Sequence, residues 1–409
     1  METLNGVPKE VLCKKLEFDL KTEGVGYGSK HELWLVSPQY FLVSGEQLSQ
    51  MIHSTMLFQE LRAGREKSNA PFYLRGDFIP LANGKMAIAE YNEVPVGEGE
   101  ITALREVYKK NLDYPGGYDW PYSNAASNMS GFLNQHFPGQ KIGILIPPAR
   151  INYLMDYFLL SQYSKAAGVD MVIVKPEDSA EKLAGVDVLY RTFQHNDLED
   201  VNWKLGQTAF EKVSSGQMDM FPAFPKVGAK ELMAKVFMEN CGAKELQAYL
   251  PWTWLIESDK KPVFKGHIFS WEEVVDGTFP NPLVAKAVSG REAKQIIFSD
   301  SPDWQKRLSL ILSDSSEKQK WIIQEDFSKN AQKFSGLPYY SWGIKEPMTG
   351  KCVKAPGMKT LDKCRARVCF TCVGYGGSLQ PVDADVSLLP SRIVHTTSNC
   401  VHLPVLAKL

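Results

Sequence analysis

The chain is 409 residues long, 44% hydrophobic, and carries 46 Lys and Arg against 47 Asp and Glu, for a formal net charge of -1. That length can bury several cores and points to two or three lobes. Balanced charge, with no basic block or aromatic-interleaved basic stripe, excludes nucleic acid as an expected partner, and no apolar run approaches the roughly 20 residues that span a bilayer.

The N-terminus is studded with Lys and Glu in place of a signal-peptide core. Seven cysteines is an odd and modest number that fits reduced thiols. These features read as a globular, enzyme-sized, cytoplasmic protein without a membrane partner.

Residues 1–44 read as short strands and turns, including Leu33–Val36 and Tyr40–Val43, and carry no readable chemistry. From Glu46 to Arg65, the residues Leu48, Met51, Ile52, Leu57 and Leu61 recur at helical spacing and predict an amphipathic helix. His53 on it is read as structural.

Tyr73 to Pro95 is the most informative stretch. Asn83-Gly84 favours a two-residue type I′ turn, because both central positions need positive φ. Such a turn sets Asp77 opposite Glu90 and Arg75 opposite Asn92, with all four side chains on one face. Two opposed carboxylates repel unless a cation lies between them. Mg²⁺ suits such a pair, since it takes one or two carboxylates and completes its shell with water and substrate phosphates. The plainer alternative is a surface ladder of ion pairs. Pro80, which cannot donate to a ladder, marks an edge or a bulge able to shift the register.

Glu98–Leu112 reads as a further helix, followed by the aromatic loop Tyr114–Tyr122, a candidate pocket cap. Pro138-Gly139 marks a boundary. Beyond it, Ile142–Ile146, a helix over 152–167, Met171–Val174, a short helix and Val186–Tyr190 form a βαβαβ unit. No G-x-G-x-x-G follows its first strand, so it is not read as a dinucleotide site. Arg191 ends the third strand, where open α/β sheets present ligand-facing residues; a solvated arginine is the alternative.

Ala229–Asn240 reads as a helix with Lys230 near its start, and Lys244–Tyr249 continues helical before Pro251. Leu283 to Ile297 reads as a strand bearing an inward-capable Lys286, a Ser289-Gly290-Arg291-Glu292 turn, and a returning strand. A compact ammonium beside free backbone N–H groups suits phosphates. After a helix over Asp303–Leu312, the apolar run Trp321–Phe327 ends in polar residues. It reads as an adenine edge, or as a core strand reaching the surface.

Residues 328–409 read as strands and turns, with bends at Gly374–Gly377 and Thr396–Asn399. Cys352, Cys364, Cys369, Cys372 and Cys400 gather there with His395 and His402, which raises a zinc site. Against it, the odd spacing of Cys369 and Cys372 on one strand points their thiols to opposite faces.

Taken in order, Arg75-x-Asp77, Ala89-Glu-Tyr-Asn92, the βαβ unit, Lys286-x-x-x-Gly-Arg-Glu292 and Ile323-Gln-Glu325 resemble the circularly permuted ATP-grasp enzymes related to glutathionylspermidine synthase. The resemblance covers residues 70–330. It implies an α+β, circularly permuted ATP-grasp fold with a pre-ATP-grasp βαβ domain. Residues 1–137 would carry the metal-binding hairpin and 138–205 the pre-ATP-grasp domain. Residues 206–330 would form the nucleotide-binding subdomain, and 331–409 would complete the core.

By the same resemblance, Asp77, Glu90 and Asn92 would be the magnesium ligands. Arg75 would be the catalytic residue, stabilising charge on the phosphoryl group or tetrahedral intermediate. Lys230 and Lys286 would hold ATP phosphates with Gly290 in the covering turn, and Gln324, Glu325 and Phe327 would lie at the adenine hinge. The implied activity is ATP- and Mg²⁺-dependent amide formation between a small-molecule carboxylate and an amine, through an acyl phosphate. Glutathione and a polyamine are the family's best-known pair, and amino acids or peptides are equally allowed.

The chain departs from the family pattern at Ala287, in place of a proline, and at Ala293, in place of the final glycine of K-P-x-x-G-R-E-G. The family's S-R-F-x-P-H segment is echoed only by Ser398-Asn-Cys-Val-His402, without the arginine. No amidase-like domain is expected before the synthetase-like part. Two alternatives stay open: an ATP-grasp kinase that stops at a phosphorylated product, and a nucleotide-binding interaction protein without turnover.

Overall fold

The computed structural model describes residues 8–23, 35–66, 70–122, 124–199, 202–239, 244–288, 295–314, 320–341, 344–345, 352–354, 357–375, 378–392 and 400–408. The chain runs through α1 (Lys9–Thr22), α2 (Gly45–Glu66), the hairpin strands β1 (Phe72–Pro80) and β2 (Met86–Asn92), α3 (Glu98–Asn111) and α4 (Ala125–His136). It then passes through β3 (Ile142–Leu145), α5 (Leu154–Ala166), β4 (Met171–Val174), β5 (Val188–Arg191), α6 (Lys204–Ser214) and β6 (Asp219–Phe221). There follow α7 (Ala229–Met238), β7 (Thr253–Leu255), β8 (Leu283–Ala287), β9 (Ile296–Phe298), α8 (Trp304–Ser313) and β10 (Trp321–Glu325). The long strands β11 (Cys364–Gly374) and β12 (Gln380–Leu389) and the short β13 (Val401–Leu403) come last.

The architecture is mixed α/β with several sheets. In the largest, β13, β12, β11, β1 and β2 are neighbours in that order and all pair antiparallel. One face is apolar: Leu74, Phe78, Ile88, Val368, Phe370 and Val386 pack beneath Met51 and Phe58 of α2 and Leu232 and Val236 of α7. On the other face Tyr73 and Val373 pack against α4 and α5. Farther along, that same face turns polar, through Asp77, Arg367 and Asp385, and is still buried.

The expected βαβαβ unit is present as a parallel sheet in the order β4, β3, β5, β6. A third, antiparallel sheet runs β7, β10, β8, β9. Its back is filled by Trp252, Trp254, Phe279, Trp271 and Trp304. That leaves the face carrying Lys286 and Gln324 turned toward the hairpin.

Two regions differ from expectation. Residues 9–22 form a helix instead of strands, because Leu12, Leu16 and Leu20 recur every fourth residue and bury together against Ile101, Leu104 and Tyr108 of α3. Between the aromatic loop and Pro138, α4 appears where no helix was expected, capped by Asn124, whose side chain accepts from the Ser127 N–H at 2.8 Å. Among the described residues no helix is long and apolar enough to cross a membrane.

Candidate functional site

The hairpin closes differently from the expected type I′ turn. Leu81 N–H donates to the Lys85 carbonyl at 2.8 Å, Gly84 N–H donates to the Leu81 carbonyl at 3.0 Å, and Gly84 has φ of 84°. This is the three-residue loop with a left-handed closing residue, for which glycine carries no Cβ penalty. It moves the pairing by one, so Phe78 faces Ile88 and Pro80 faces Met86. A bulge between Asp77 and Phe78, opposed by the extra residue Ala89, moves it back. Asp77 therefore faces Glu90 and Arg75 faces Asn92, as expected, because two one-residue deviations cancel. Nor is β1 an edge: β11 pairs along its other side and sets Cys369 opposite Asp77 and Thr371 opposite Arg75.

Asp77 is only 1% exposed and fully engaged. Its Oδ1 accepts from Arg75 Nε at 3.0 Å, and its Oδ2 accepts from Arg367 Nη1 at 3.1 Å and Asn92 Nδ2 at 3.3 Å. Burying a carboxylate this deep is costly unless it is so paired. Burial penalises the Arg75 charge, yet Asp77, Cys369 and Tyr73 together outweigh it and hold the guanidinium firmly protonated.

Glu90 is the more open of the two acids. Its Oε1 accepts from Asn92 Nδ2 at 3.4 Å, and its Oε2 lies 3.6 Å from Lys230 Nζ. Burial raises its pKa, but Lys230 and then Lys286 pull it down to about 2, so the carboxylate is ionised at neutral pH.

Lys230 is placed by the start of α7. There Glu93 Oε2 accepts the Ala229 N–H at 3.1 Å, while Glu93 Oε1 pairs with Arg62 of α2 at 3.0 Å. The residue just past the hairpin thus caps the helix that brings the lysine in. Lys286 arrives from the third sheet. Its Nζ donates to Gln324 Oε1 at 2.6 Å and to the Ala89 carbonyl at 3.4 Å, and Gln324 Nε2 donates to Thr253 Oγ1 at 3.1 Å. Ala89 is the bulged residue, so the irregularity that restores the register also meets the lysine. Burial lowers the Lys286 pKa to about 8 against the attraction of Glu90.

The structure thus gathers Arg75, Asp77, Glu90, Asn92, Lys230, Lys286 and Gln324. Glu325 is not among them: by strand alternation its side chain leaves on the opposite face, where it accepts from Asn281 Nδ2 at 2.7 Å. Phe327 follows β10 in a short turn of helix and is half-buried. Gly290 and the rest of its turn lie outside the described residues.

One expectation is corrected. Arg191 is neither solvated nor ligand-facing. It is buried, and donates to the carbonyls of Pro222 at 2.8 Å, Phe193 at 2.6 Å and Glu93 at 2.7 Å, with burial lowering its pKa to about 9. Arg392, just past β12, was passed over by sequence reasoning. Its guanidinium bonds to the Asp326 carboxylate, donates to Asp300 Oδ1 at 2.6 Å and Ser328 Oγ at 3.0 Å, and stacks 3.8 Å from the centre of the Phe298 ring. Of the C-terminal cysteines, Cys364, Cys369, Cys372 and Cys400 are buried, and among the described residues no group of three or more His, Cys, Asp or Glu is placed to hold a metal. The Cys352 side chain and His395 lie outside the described residues.

Sequence reasoning also passed over Arg367, whose signal was the Arg365-Ala-Arg367 alternation within an otherwise apolar strand.

No protein-family model and no curated protein sequence matches the chain. Among solved structures it is similar to a protein provisionally described as a gamma-glutamylcysteine synthetase from Methylobacillus flagellatus KT, at 14% identity over 97% of this chain and 88% of that one, with a TM-score of 0.40. It is also similar to carboxyaminoimidazole ribonucleotide synthase from Aspergillus clavatus complexed with ATP, at 11% identity over 63% of this chain and 71% of that one, with a TM-score of 0.27. Likenesses this distant leave the chemistry to the chain's own side chains.

Proposed function

We propose that the protein is an ATP- and Mg²⁺-dependent ligase that joins a small-molecule carboxylate to an amine through an acyl phosphate, with amino-acid, peptide or polyamine substrates. The observation that carries this reading is the convergence of Lys230 and Lys286, from a helix and a separate sheet, on the Asp77, Glu90 and Asn92 face of the hairpin.

Oxygen donors in this number fit Mg²⁺, which keeps sites for water and phosphate oxygens. Glu90 would hold it with Asp77 and Asn92 behind, and the ion supplies charge neutralisation at the phosphates. Lys286, steadied by Gln324, and Lys230 bind the phosphates as point charges. Arg75 and Arg367, locked by Asp77, present fixed positive charge to the reacting carboxylate and the tetrahedral species. Phosphoryl transfer asks little else of a protein than positioning and charge. Arg392 braces the end of β9 and β10 where the adenine would lie.

The test is a screen for ADP release with Mg-ATP and libraries of carboxylates and amines, followed by mass analysis of the product. An amide product supports the ligase. A phosphorylated product without amide makes the protein a kinase, and ATP binding with no ADP release in any mixture makes it a binding protein. Asp77→Asn is expected to lower turnover by roughly a hundredfold or more, as for loss of a group that organises transition-state charge. Unchanged Mg-ATP affinity and turnover in that variant would remove Asp77 from the site.

A further inference from the structure

The polar face of the large sheet continues beyond Asp77. Register sets Thr371 beside Arg75 and Asp383 beside Thr371, and in the next row Cys369 beside Asp77 and Asp385 beside Cys369. Ser387 pairs with Arg367 on one side and His402 on the other. With strands about 4.8 Å apart, the two acids stand roughly 10 Å from Arg75 and Asp77 on one continuous surface.

That surface is buried throughout: Arg367 is 6% exposed, Asp383 and Asp385 3% each, and Ser387 not at all. Glu98 and Arg105 of α3 act on Asp383 from above it. Polar atoms at such depth are ordinarily paired. Yet among the described residues both carboxylate oxygens of Asp383, Oγ of Ser387, and Nε and Nη2 of Arg367 have no hydrogen-bond partner. The orphaned Asp383 carboxylate stands at one end of the surface, and the orphaned guanidinium donors of Arg367, with Ser387 beside them, at the other.

We propose that this face receives an amino-acid-like zwitterion, its ammonium held by Asp383 and Asp385 and its carboxylate by Arg367 and Arg75 beside the phosphate site. That this carboxylate is the one activated rests on the ligase reading; recognition of the ammonium does not. The Asp383 oxygens and the Arg367 donors then gain the partners their depth demands. Burial, and then Asp385, hold the Asp383 carboxyl well above the usual carboxylate range, a penalty that a bound cation relieves.

The experiment is titration calorimetry on the full chain, with Mg²⁺ and a non-hydrolysable ATP analogue bound first. The probes are the free amino acids and their matched des-amino carboxylic acids. At least one amino acid is expected to bind, with its des-amino partner weaker by roughly tenfold to a hundredfold, the range for a charged hydrogen bond. Asp383→Asn should weaken that amino acid by a similar factor and leave the ATP analogue's affinity unchanged. Its thermal stability should hold or rise, because the substitution removes an orphaned buried carboxyl group; a merely structural aspartate would lose stability instead.

If Asp383→Asn does not fold, Asp385→Asn reads the same end of the surface, and unchanged amino-acid binding there overturns the assignment. The assignment also falls if no amino acid binds, if des-amino acids bind equally well, or if Asp383→Asn binds the amino acid as tightly as the parent. An amino acid that binds while the ATP analogue does not leaves this assignment standing and removes the ligase reading.

Discussion

Lys286 shows how one side chain would tie the proposed phosphate site to pH. Its ammonium is buried, and its pKa falls from 10.5 to about 8. Between those values the unfolded chain holds a proton that the folded chain lacks, so the native state gains stability as pH rises through this window. Phosphate binding needs the ammonium charged and runs the other way. Affinity for a Mg-ATP analogue is therefore expected to fall as pH rises through about 8, while the melting temperature does not fall with it. Calorimetry and thermal unfolding across pH 7 to 9.5 check both signs. In Lys286→Met the affinity should be lower and its decline with pH absent; the same decline in that variant would mean that another group is titrating.

Elements decide which of these residues can meet. Helix α3, which holds Glu98 and Arg105 over the polar face, is fixed to α5 at Gly99. A Cβ there would lie 2.1 Å from the Asp156 carbonyl oxygen and 2.6 Å from the Leu160 nitrogen, both backbone atoms that cannot turn aside. The Asp156 carboxylate also accepts the N–H groups of Gly97, Gly99 and Glu100 at 2.7, 2.9 and 3.0 Å, capping the helix at the same point. Gly99→Ala is expected to cost about 3 kcal/mol or more, as overpacking against backbone does. Gly131→Ala, in the exposed middle of α4 with open space around it, should stabilise by about 0.5–1 kcal/mol. Urea midpoints of the two variants should move in opposite directions.

Elements also set how much was legible. The hairpin announced itself locally, through Asn83-Gly84 and alternating polar residues, and its pairing came out right although loop and strand each deviate by one residue. Arg367 meets Asp77 across 290 residues of chain. Nothing local in β11 or β12 says which strand lies beside them, and both faces are buried, so the usual contrast between apolar and polar sides is reduced to Arg367 and the Asp383-Ala-Asp385 alternation. Helix α1 did carry the signal of Leu12, Leu16 and Leu20, but its partner α3 lies far along the chain, and only that packing shows the repeat to be a buried stripe.

Across the whole molecule, the proposed phosphate site joins parts that come from different sheets and a helix. The edge strand β2 supplies Glu90 and the Ala89 carbonyl, α7 and β8 supply the lysines, and Arg392 reaches from the end of β12 to Asp326 and Phe298 in the third sheet. A ligand that bridges these parts binds only the assembled state, and at a hundredfold excess over its Kd it stabilises by about 2.7 kcal/mol. For a chain of this size that corresponds to a rise in melting temperature of roughly 3–5 °C. Arg392→Ala separates two roles for the C-terminal arginine. Loss of a brace lowers the melting temperature of the free protein and leaves the ligand-induced rise intact. Loss of a nucleotide contact shrinks the rise itself, and the stacking of Arg392 on Phe298 beside Asp326, which acts directly on Lys286, leads us to expect a rise reduced by at least half. A full rise in Arg392→Ala would confine that residue to bracing the sheet.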